Sequence, residues 1–360
     1  MLIGIDGNEA NLVQRVGVGQ YAYHVFKELA KIDKTNSYLV YLKNPPLSDM
    51  PPETPNWQYR VFGPAKFWTK LALPFHLYTD SIKLDLFYSP SHYSPHFSPF
   101  PTIPTIHDLG YLSTSEQFTK KDFYQLTEWT KHSLKQARHI IAVSEFTKNE
   151  LHRIYNIDLN KISVAYNGVE APDLTNHHPQ TVFKKFKIKP PYFLCLGTLK
   201  PSKNIPFLLE AFAHTTGYQL VIAGKKGWLF DSVFKTVKKF HLEKSVIFTD
   251  YINETEKWLL FQNAIATVLP SLCEGFGIPA IESQISRTPV ITSDIPAFRE
   301  VLDDSAILID PHNLNSLIKA FSEITKPTVR KSLIQKGLVQ SQKFSWQNSA
   351  RSLIAAFSKI

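Results

Sequence analysis

Short apolar runs alternate along this chain with longer segments whose apolar residues recur every three to four positions. The short runs predict strands at 2–6, 37–42, 84–88, 102–106, 139–143 and 161–165, then at 192–197, 218–223, 245–249, 265–269, 289–292 and 306–309. The longer segments predict helices near 19–31, 67–79, 120–137 and 145–155, then near 205–214, 229–240, 255–263, 279–286, 296–302 and 313–324. Strand followed by helix, repeated, points to parallel sheets in an α/β fold.

The pattern breaks between Glu170 and Pro191, where prolines, the pair His177-His178 and several lysines gather. That segment reads as a linker with a short helix around 180–187. It divides the chain into a first doubly wound domain, 1–175, and a second, 176–345. A chain of 360 residues is long enough for two cores. A last helix, 346–358, follows Phe344-Ser345-Trp346. In open α/β sheets ligands gather at the strand ends, so a ligand crevice between the two domains is expected.

Composition narrows the classes. Apolar content of 43% and charged content of 20% are those of a water-soluble globular chain. Two cysteines, Cys195 and Cys273, exclude a disulfide scaffold and suit a reducing compartment. No apolar run approaches the roughly 20 residues of a membrane span. Met1 to Asp6 reads as a strand rather than a signal peptide, which leads to the expectation of a cytoplasmic protein. The net charge of +9 favours anionic partners. The basic residues are scattered and no nucleic-acid motif accompanies them, so nucleic acid is not the expected partner.

The densest chemistry lies in Glu274-Gly275-Phe276-Gly277-Ile278-Pro279-Ala280-Ile281-Glu282. The glycines permit close backbone approach to a ligand. Pro279 suits a helix start, and the N–H groups that follow form a seat for phosphate. Glu274 falls before that helix, and Glu282 lies one turn inside it, as an acceptor suited to hydroxyls. Three other strand ends carry candidates. Gly17 and Gly19 precede the first long helix. His107 and Asp108 close the strand at 102–106. Lys203 sits in Leu196-Gly197-Thr198-Leu199-Lys200-Pro201-Ser202-Lys203-Asn204, where a lysine offers a point charge to a diphosphate. Ser144 reads as a helix N-cap and Asn167-Gly168 as a turn.

These motifs, in this order from Ile3 to Trp346, resemble the retaining family-four glycosyltransferases, and the chain is most similar to their mannosyltransferase-like members. The resemblance implies the GT-B fold: two doubly wound, Rossmann-like domains facing across a cleft, with the terminal helix crossing back to the first domain. It implies that Lys203 and the Gly275, Phe276 and Gly277 amides bind a donor diphosphate, and that Glu282 holds ribose hydroxyls. Glu274 would bind the donor sugar. His107 would contact the transferred sugar or take part in catalysis. The Gly17–Gly19 loop would face the diphosphate. The family implies front-face attack, with the leaving phosphate taking the acceptor's proton, so Glu274 is not assigned as a nucleophile. The donor would be a nucleotide sugar, GDP-mannose by resemblance, and the acceptor a glycan or a lipid-linked glycan.

No Asp-x-Asp pair occurs, so metal-independent transfer without a further cofactor is expected. Three positions depart from the family pattern: Ser202 where arginine is common, and Asp250 and Arg287 where glycine is usual. Lys200 is a candidate to compensate at Ser202, and Lys225 and Lys226 in the 224–228 loop to reach phosphate. Residues 66–79, with Trp68 and Lys70, read either as an interfacial helix in weak peripheral contact with the inner face of a membrane or as a helix packed on its own sheet. Two other functions share the scaffold: a nucleotide-sugar epimerase, which needs no acceptor, and a catalytically silent sugar-nucleotide binding protein.

Overall fold

In the computed structural model, which describes residues 1–64, 66–113 and 120–360, every strand pairing is parallel. The described residues form two compact units, Met1–Gly168 with Ser345–Ile360, and Val169–Phe344.

The first unit runs β1 (Leu2–Asp6), α1 (Val18–Ile32), β2 (Ser37–Leu42), β3 (Trp57–Val61), α2 (Leu73–Thr79), β4 (Leu86–Ser89), β5 (Thr102–Ile106), α3 (Gly110–Ser113), α4 (Lys120–Gln136), β6 (Ile140–Ala142), α5 (Glu145–Tyr155) and β7 (Ile162–Val164). Its sheet has the order β3-β2-β1-β4-β5-β6-β7. The second unit runs α6 (Pro179–Phe186), β8 (Tyr192–Leu196), α7 (Ile205–Phe212), β9 (Gln219–Ala223), α8 (Asp231–Lys239), β10 (Val246–Asp250), α9 (Glu254–Asn263), β11 (Thr267–Leu269), α10 (Ile278–Ile285), β12 (Val290–Ser293), α11 (Pro296–Leu302), β13 (Ile307–Ile309), α12 (Leu314–Ile324) and α13 (Pro327–Ser341). Its order is β10-β9-β8-β11-β12-β13. In each sheet the chain winds outward one way, returns to the centre, and winds out the other way. The reversals fall between β1 and β4 and between β8 and β11, and at such a point the loops on either side diverge and leave room for a ligand.

Burial explains the strand composition. β2, β4 and β5 are covered on both faces, so almost every residue in them is apolar or a hydroxyl held in the core. In the second unit Phe193, Ile222, Val268 and Ile291 pack on one face of the sheet against α7 and α12, while Tyr192, Leu194 and Val221 pack on the other against α6 and α9.

The division between units falls at Gly168/Val169, ahead of the boundary expected after 175. The segment read as a linker belongs to the second unit. Val182 of α6 and Ile188 are core residues there, and Lys185 of α6 pairs with Glu256 of α9 at 2.5 Å. α14 (Trp346–Phe357) packs on α1 of the first unit. A Cβ on Gly168 would lie 2.0 Å from the Trp346 nitrogen, so glycine is required where α14 begins. Trp346 stacks on His24 with ring centroids 4.9 Å apart. Ser144 caps α5 by accepting from the Thr147 N–H at 3.0 Å.

Three elements were not expected, the single turn α3 and two longer ones. β3 is an edge strand in which only Trp57 is buried, and prolines crowd its approach. α13 carries Gly337 in its interior and has no single apolar face. The glycine lets α13 lie close against Gln284 of α10, where a Cβ would stand 3.0 Å away.

Candidate functional site

The second unit brings two of the expected residues together. β8 ends at Leu196, Gly197 takes φ 153°, and a 3₁₀ turn over Pro201–Lys203 leads into α7. β11 ends at Leu269 and runs through Glu274 to the start of α10. These are the two loops at the reversal of the sheet. They are joined by the Leu272 N–H, which donates to the Ser202 carbonyl at 2.8 Å. Across them Lys203 Nζ lies 2.5 Å from Glu274 Oε1, and the Ser271 hydroxyl donates to the same oxygen at 2.7 Å. Both charged side chains are 17% exposed, so the pair is mostly desolvated yet reachable. Gly197 gives the lysine its room: a Cβ there would stand 3.2 Å from Lys203 Cε.

Gly277 takes φ 92° as the cap of α10, and Pro279 lies in the first two helical positions. A Cβ on Gly277 would sit 2.3 Å from Phe298 Cε1, so the turn needs glycine for both its dihedral and its packing. Phe276 is buried and meets Phe344 edge-on at 5.3 Å, which anchors the glycine loop from beneath. Gly275 is buried beside it.

Glu282 is less open than the sequence implied. It is 8% exposed and accepts from Lys257 Nζ at 2.6 Å, while Lys257 also lies 2.7 Å from Glu254. Burial pushes the Glu282 carboxyl above its usual range, and Lys257 opposes that shift. Burial acts to lower the Lys257 ammonium, but the two carboxylates outweigh it and the value is raised. Both shifts favour the protonated form, which is neutral for Glu282 and charged for Lys257. With two carboxylates within 2.7 Å, the ammonium is the firmly charged member. A ribose hydroxyl at Glu282 would have to share this carboxylate with Lys257.

The neighbouring loops are basic and aromatic. Lys200 Nζ sits 5.7 Å from the Trp228 ring centre, so it is turned over that ring. Lys225 Nζ lies 4.9 Å from the Tyr251 ring and Lys226 Nζ 5.6 Å from that of Phe234. Ser202 is buried, with its carbonyl engaged by Leu272, where the family pattern has arginine. Asp250 and Arg287 take φ 56° and 61°, the left-handed region, which accounts for glycine being usual at both places. Arg287 points to solvent.

The first unit holds the other candidates. Gly17 takes φ 47° and caps α1, and a Cβ there would meet nothing within 4 Å. Gly19 is buried, and a Cβ there would come within 3.0 Å of the Glu9 carbonyl. Arg15 ties the loop down by donating to the Ala10 carbonyl at 2.6 Å and to Asp49 at 2.5 and 2.8 Å.

His107 follows β5. Its Nε2 lies 2.8 Å from the Pro90 carbonyl, which can only accept, so Nε2 carries the proton and Nδ1 the lone pair. Its own main-chain N–H donates to His92 Nε2 at 3.1 Å, which fixes the opposite tautomer on His92. The two rings stack with centroids 5.9 Å apart, and Tyr21 meets His107 edge-on at 4.8 Å. Burial, with His92 beside it, pulls His107 down to about 4. The imidazole is therefore neutral near pH 7 and offers an acceptor suited to a hydroxyl, not a cation suited to phosphate. Asp108 accepts from the Gly110 N–H at 2.9 Å and shapes the turn after β5. His92 and Lys257 carried no local motif in the sequence; each was found only through its partner in space.

Residues 16–171 match the family profile described as Glycosyltransferase Family 4, and residues 179–338 match Glycosyl transferases group 1. The chain belongs to the family-four glycosyltransferases. It is 34% identical over 221 residues to the O-antigen chain mannosyltransferase RfbU of Salmonella typhimurium, a match covering 61% of this chain and 60% of the relative. It is 26% identical over 282 residues to O-antigen chain mannosyltransferase B of Escherichia coli, covering 76% of this chain and 74% of that one. The sucrose-phosphate synthase of Thermosynechococcus elongatus shares the fold at TM-score 0.78 and 20% identity, over 100% of this chain and 98% of that one. WaaG, a glycosyltransferase involved in lipopolysaccharide biosynthesis, does so at TM-score 0.73 and 14% identity, over 99% and 98%. The shared architecture is GT-B, and this family-four member has both of its Rossmann-like units.

Proposed function

We propose that this family-four glycosyltransferase moves a mannosyl group from GDP-mannose to a hydroxyl of a glycan carried on lipid, in the assembly of an envelope polysaccharide such as O-antigen. The observation that carries the reading is the Lys203–Glu274 contact at the reversal of the second unit's sheet. A cation and a carboxylate at one ligand-collecting point suit a molecule with a diphosphate at one end and sugar hydroxyls at the other. The mannosyl donor and the polysaccharide are suggested by the names of the matched relatives.

In the proposed reaction the bond between the anomeric carbon and the diphosphate oxygen breaks, and the acceptor oxygen bonds to that carbon on the same face. The acceptor's proton passes to the departing phosphate oxygen, so configuration is retained. Negative charge grows on the diphosphate as this happens. Lys203 and the N–H groups from Gly275 onward would stabilise it, and fixed donors aimed at developing charge are the strongest catalytic device available to a protein. No metal ion is assigned a part. Glu274 would hold sugar hydroxyls, and Glu282 those of the ribose. His107, neutral with its lone pair on Nδ1, would accept from a hydroxyl of the transferred sugar. The reaction is assigned to the cytoplasm, at the inner face of the membrane.

The test is transfer from a panel of GDP-, UDP- and ADP-sugars to a synthetic polyprenyl-diphosphate glycan, with and without chelator, reading the anomer of the product by NMR. Transfer of α-mannose from GDP-mannose, undiminished by chelator, is expected. Inverted product, or a strict need for Mg²⁺ or Mn²⁺, would overturn the mechanism. Turnover of the donor without acceptor would favour an epimerase.

A further inference from the structure

The segment 66–79 is apolar on two sides. Trp68, Ala72, Leu73 and Leu77 are 0–6% exposed and pack on Leu39, Tyr41 and Phe87 of the sheet. The other side carries Phe67, Leu71, Phe75 and Tyr78, each 60–65% exposed and spaced four, four and three residues apart. They form one stripe along a π-helical turn, Trp68–Ala72, and α2. A helix with apolar residues on its outer side as well is not explained by packing on its own sheet. Phe67 is held in the left-handed region at φ 57°, which a bulky side chain rarely adopts, and its ring faces solvent.

Basic groups outnumber acidic ones around the segment, Asp80 beside His76 being the carboxylate next to it. Residues 66–79 contain Lys66, Lys70 and His76 and no carboxylate. Lys66 Nζ lies 5.4 Å from the Phe67 ring centre, and Lys70 Nζ sits 4.0 Å over Trp129 of α4. α4 exposes Lys120, Lys121, Lys131 and Lys135, together with Tyr124 at 67%. The Thr69 carbonyl accepts from the His96 N–H at 3.1 Å, which brings the exposed Phe97 alongside.

We propose that this face is a docking surface for an anionic lipid bilayer. Large apolar side chains would enter the headgroup boundary while the flanking lysines meet lipid phosphates, the pairing by which interfacial helices bind. A second copy of the chain is the poorer fit, because a two-fold contact sets a patch against itself and would oppose these lysines to one another. The proposal deepens the reading of a lipid-carried acceptor by naming the surface on which it is met. Trp68 is buried, so the contact falls to the exposed stripe instead.

The experiment is flotation of the full chain with vesicles of equal parts phosphatidylglycerol and phosphatidylcholine, and with phosphatidylcholine alone. Wild type is expected to partition at least tenfold better to the anionic vesicles. Leu71→Ser with Phe75→Ser, and separately Lys66→Gln with Lys120→Gln and Lys121→Gln, are each expected to lose at least tenfold. Their urea unfolding should match that of wild type, which shows that the variants fold. Failure of wild type to float, or flotation equal in the variants, overturns the docking surface. So does a wild-type dimer in sedimentation that Leu71→Ser with Phe75→Ser dissociates. Flotation without transfer to a lipid-linked acceptor would sink the acceptor reading and leave the docking surface standing.

Discussion

Lys203 and Glu274 hold each other at 2.5 Å, so a diphosphate arriving at Lys203 competes with a carboxylate already there. Two unit charges this close attract by about 6–7 kcal/mol at an effective dielectric of roughly 20, and desolvation offsets most of that. Removing one partner costs about 3–5 kcal/mol when the pair is fully buried and under about 1 when it is exposed. With both side chains 17% exposed, the loss of Glu274's charge should lower stability by about 2 kcal/mol. The consequence for binding is opposite in sign. In Glu274→Gln the Ser271 contact can survive, Lys203 has no competing anion in Glu274, and GDP without its sugar should bind about tenfold more tightly, or about 1.4 kcal/mol. In Lys203→Met the cation is gone, and GDP should bind at least about tenfold more weakly, with a shallower dependence on salt. Turnover should fall in both. Calorimetry with GDP at low and high salt, urea unfolding and a transfer assay together read every part of this. If Glu274→Gln weakens GDP as much as Lys203→Met does, the carboxylate is not the lysine's competitor and the assignment of the diphosphate to Lys203 is wrong.

Gly277→Ala should destabilise the second unit by about 2–4 kcal/mol in urea unfolding, from a left-handed dihedral plus a clash with the buried Phe298 ring. Gly17→Ala, where nothing lies within 4 Å, should cost only the dihedral, about 1–2 kcal/mol; equal effects would refute the packing argument. His107 and His139 are both pulled down to about 4, chiefly by burial. The unfolded chain therefore takes up protons first, from about pH 6.5 downward, and stability should fall as pH drops through the window to about 4, by up to about 1.4 kcal/mol per pH unit for each histidine. His139→Gln should remove one share of that slope in denaturant midpoints taken across the window, and an unchanged slope would count against it. The Pro90 carbonyl fixes the His107 tautomer, so the ¹⁵N signature of a single Nε2–H tautomer should persist in His92→Phe, which removes only the acceptor for the His107 main-chain N–H. A tautomer mixture in that variant would refute the Pro90 assignment.

Much of the fold was legible because its signals are local. Five-residue apolar runs between amphipathic segments leave little alternative to parallel strands and crossover helices, and Ser144 and Pro279 mark helix starts by chemistry that acts within one turn. β3 and α13 were not legible for the converse reason. β3 buries one tryptophan at a sheet edge, and α13 has no single apolar face, its glycine serving close packing on α10, a neighbour far away in sequence. Asp250 and Arg287 departed from the family pattern without touching Glu274, the glycines or Glu282. Both sit at left-handed positions with their side chains outside the motif, so they bear on backbone strain and not on charge.

The order of the motifs along the chain determined the family, and with it the expectation of two Rossmann-like units, because each glycine turn and capping residue is demanded by the strand or helix beside it. What only tertiary structure decided is which charges meet. Lys203 and Glu274 are 71 residues apart in sequence and reach one another because β8 and β11 are neighbours at the reversal of the sheet. Glu282 is committed to Lys257, and His107 is neutral because it is buried with His92 beside it, which outweighs the Pro90 carbonyl. Pairing and desolvation depend on distance through space, and a sequence records distance only along the chain.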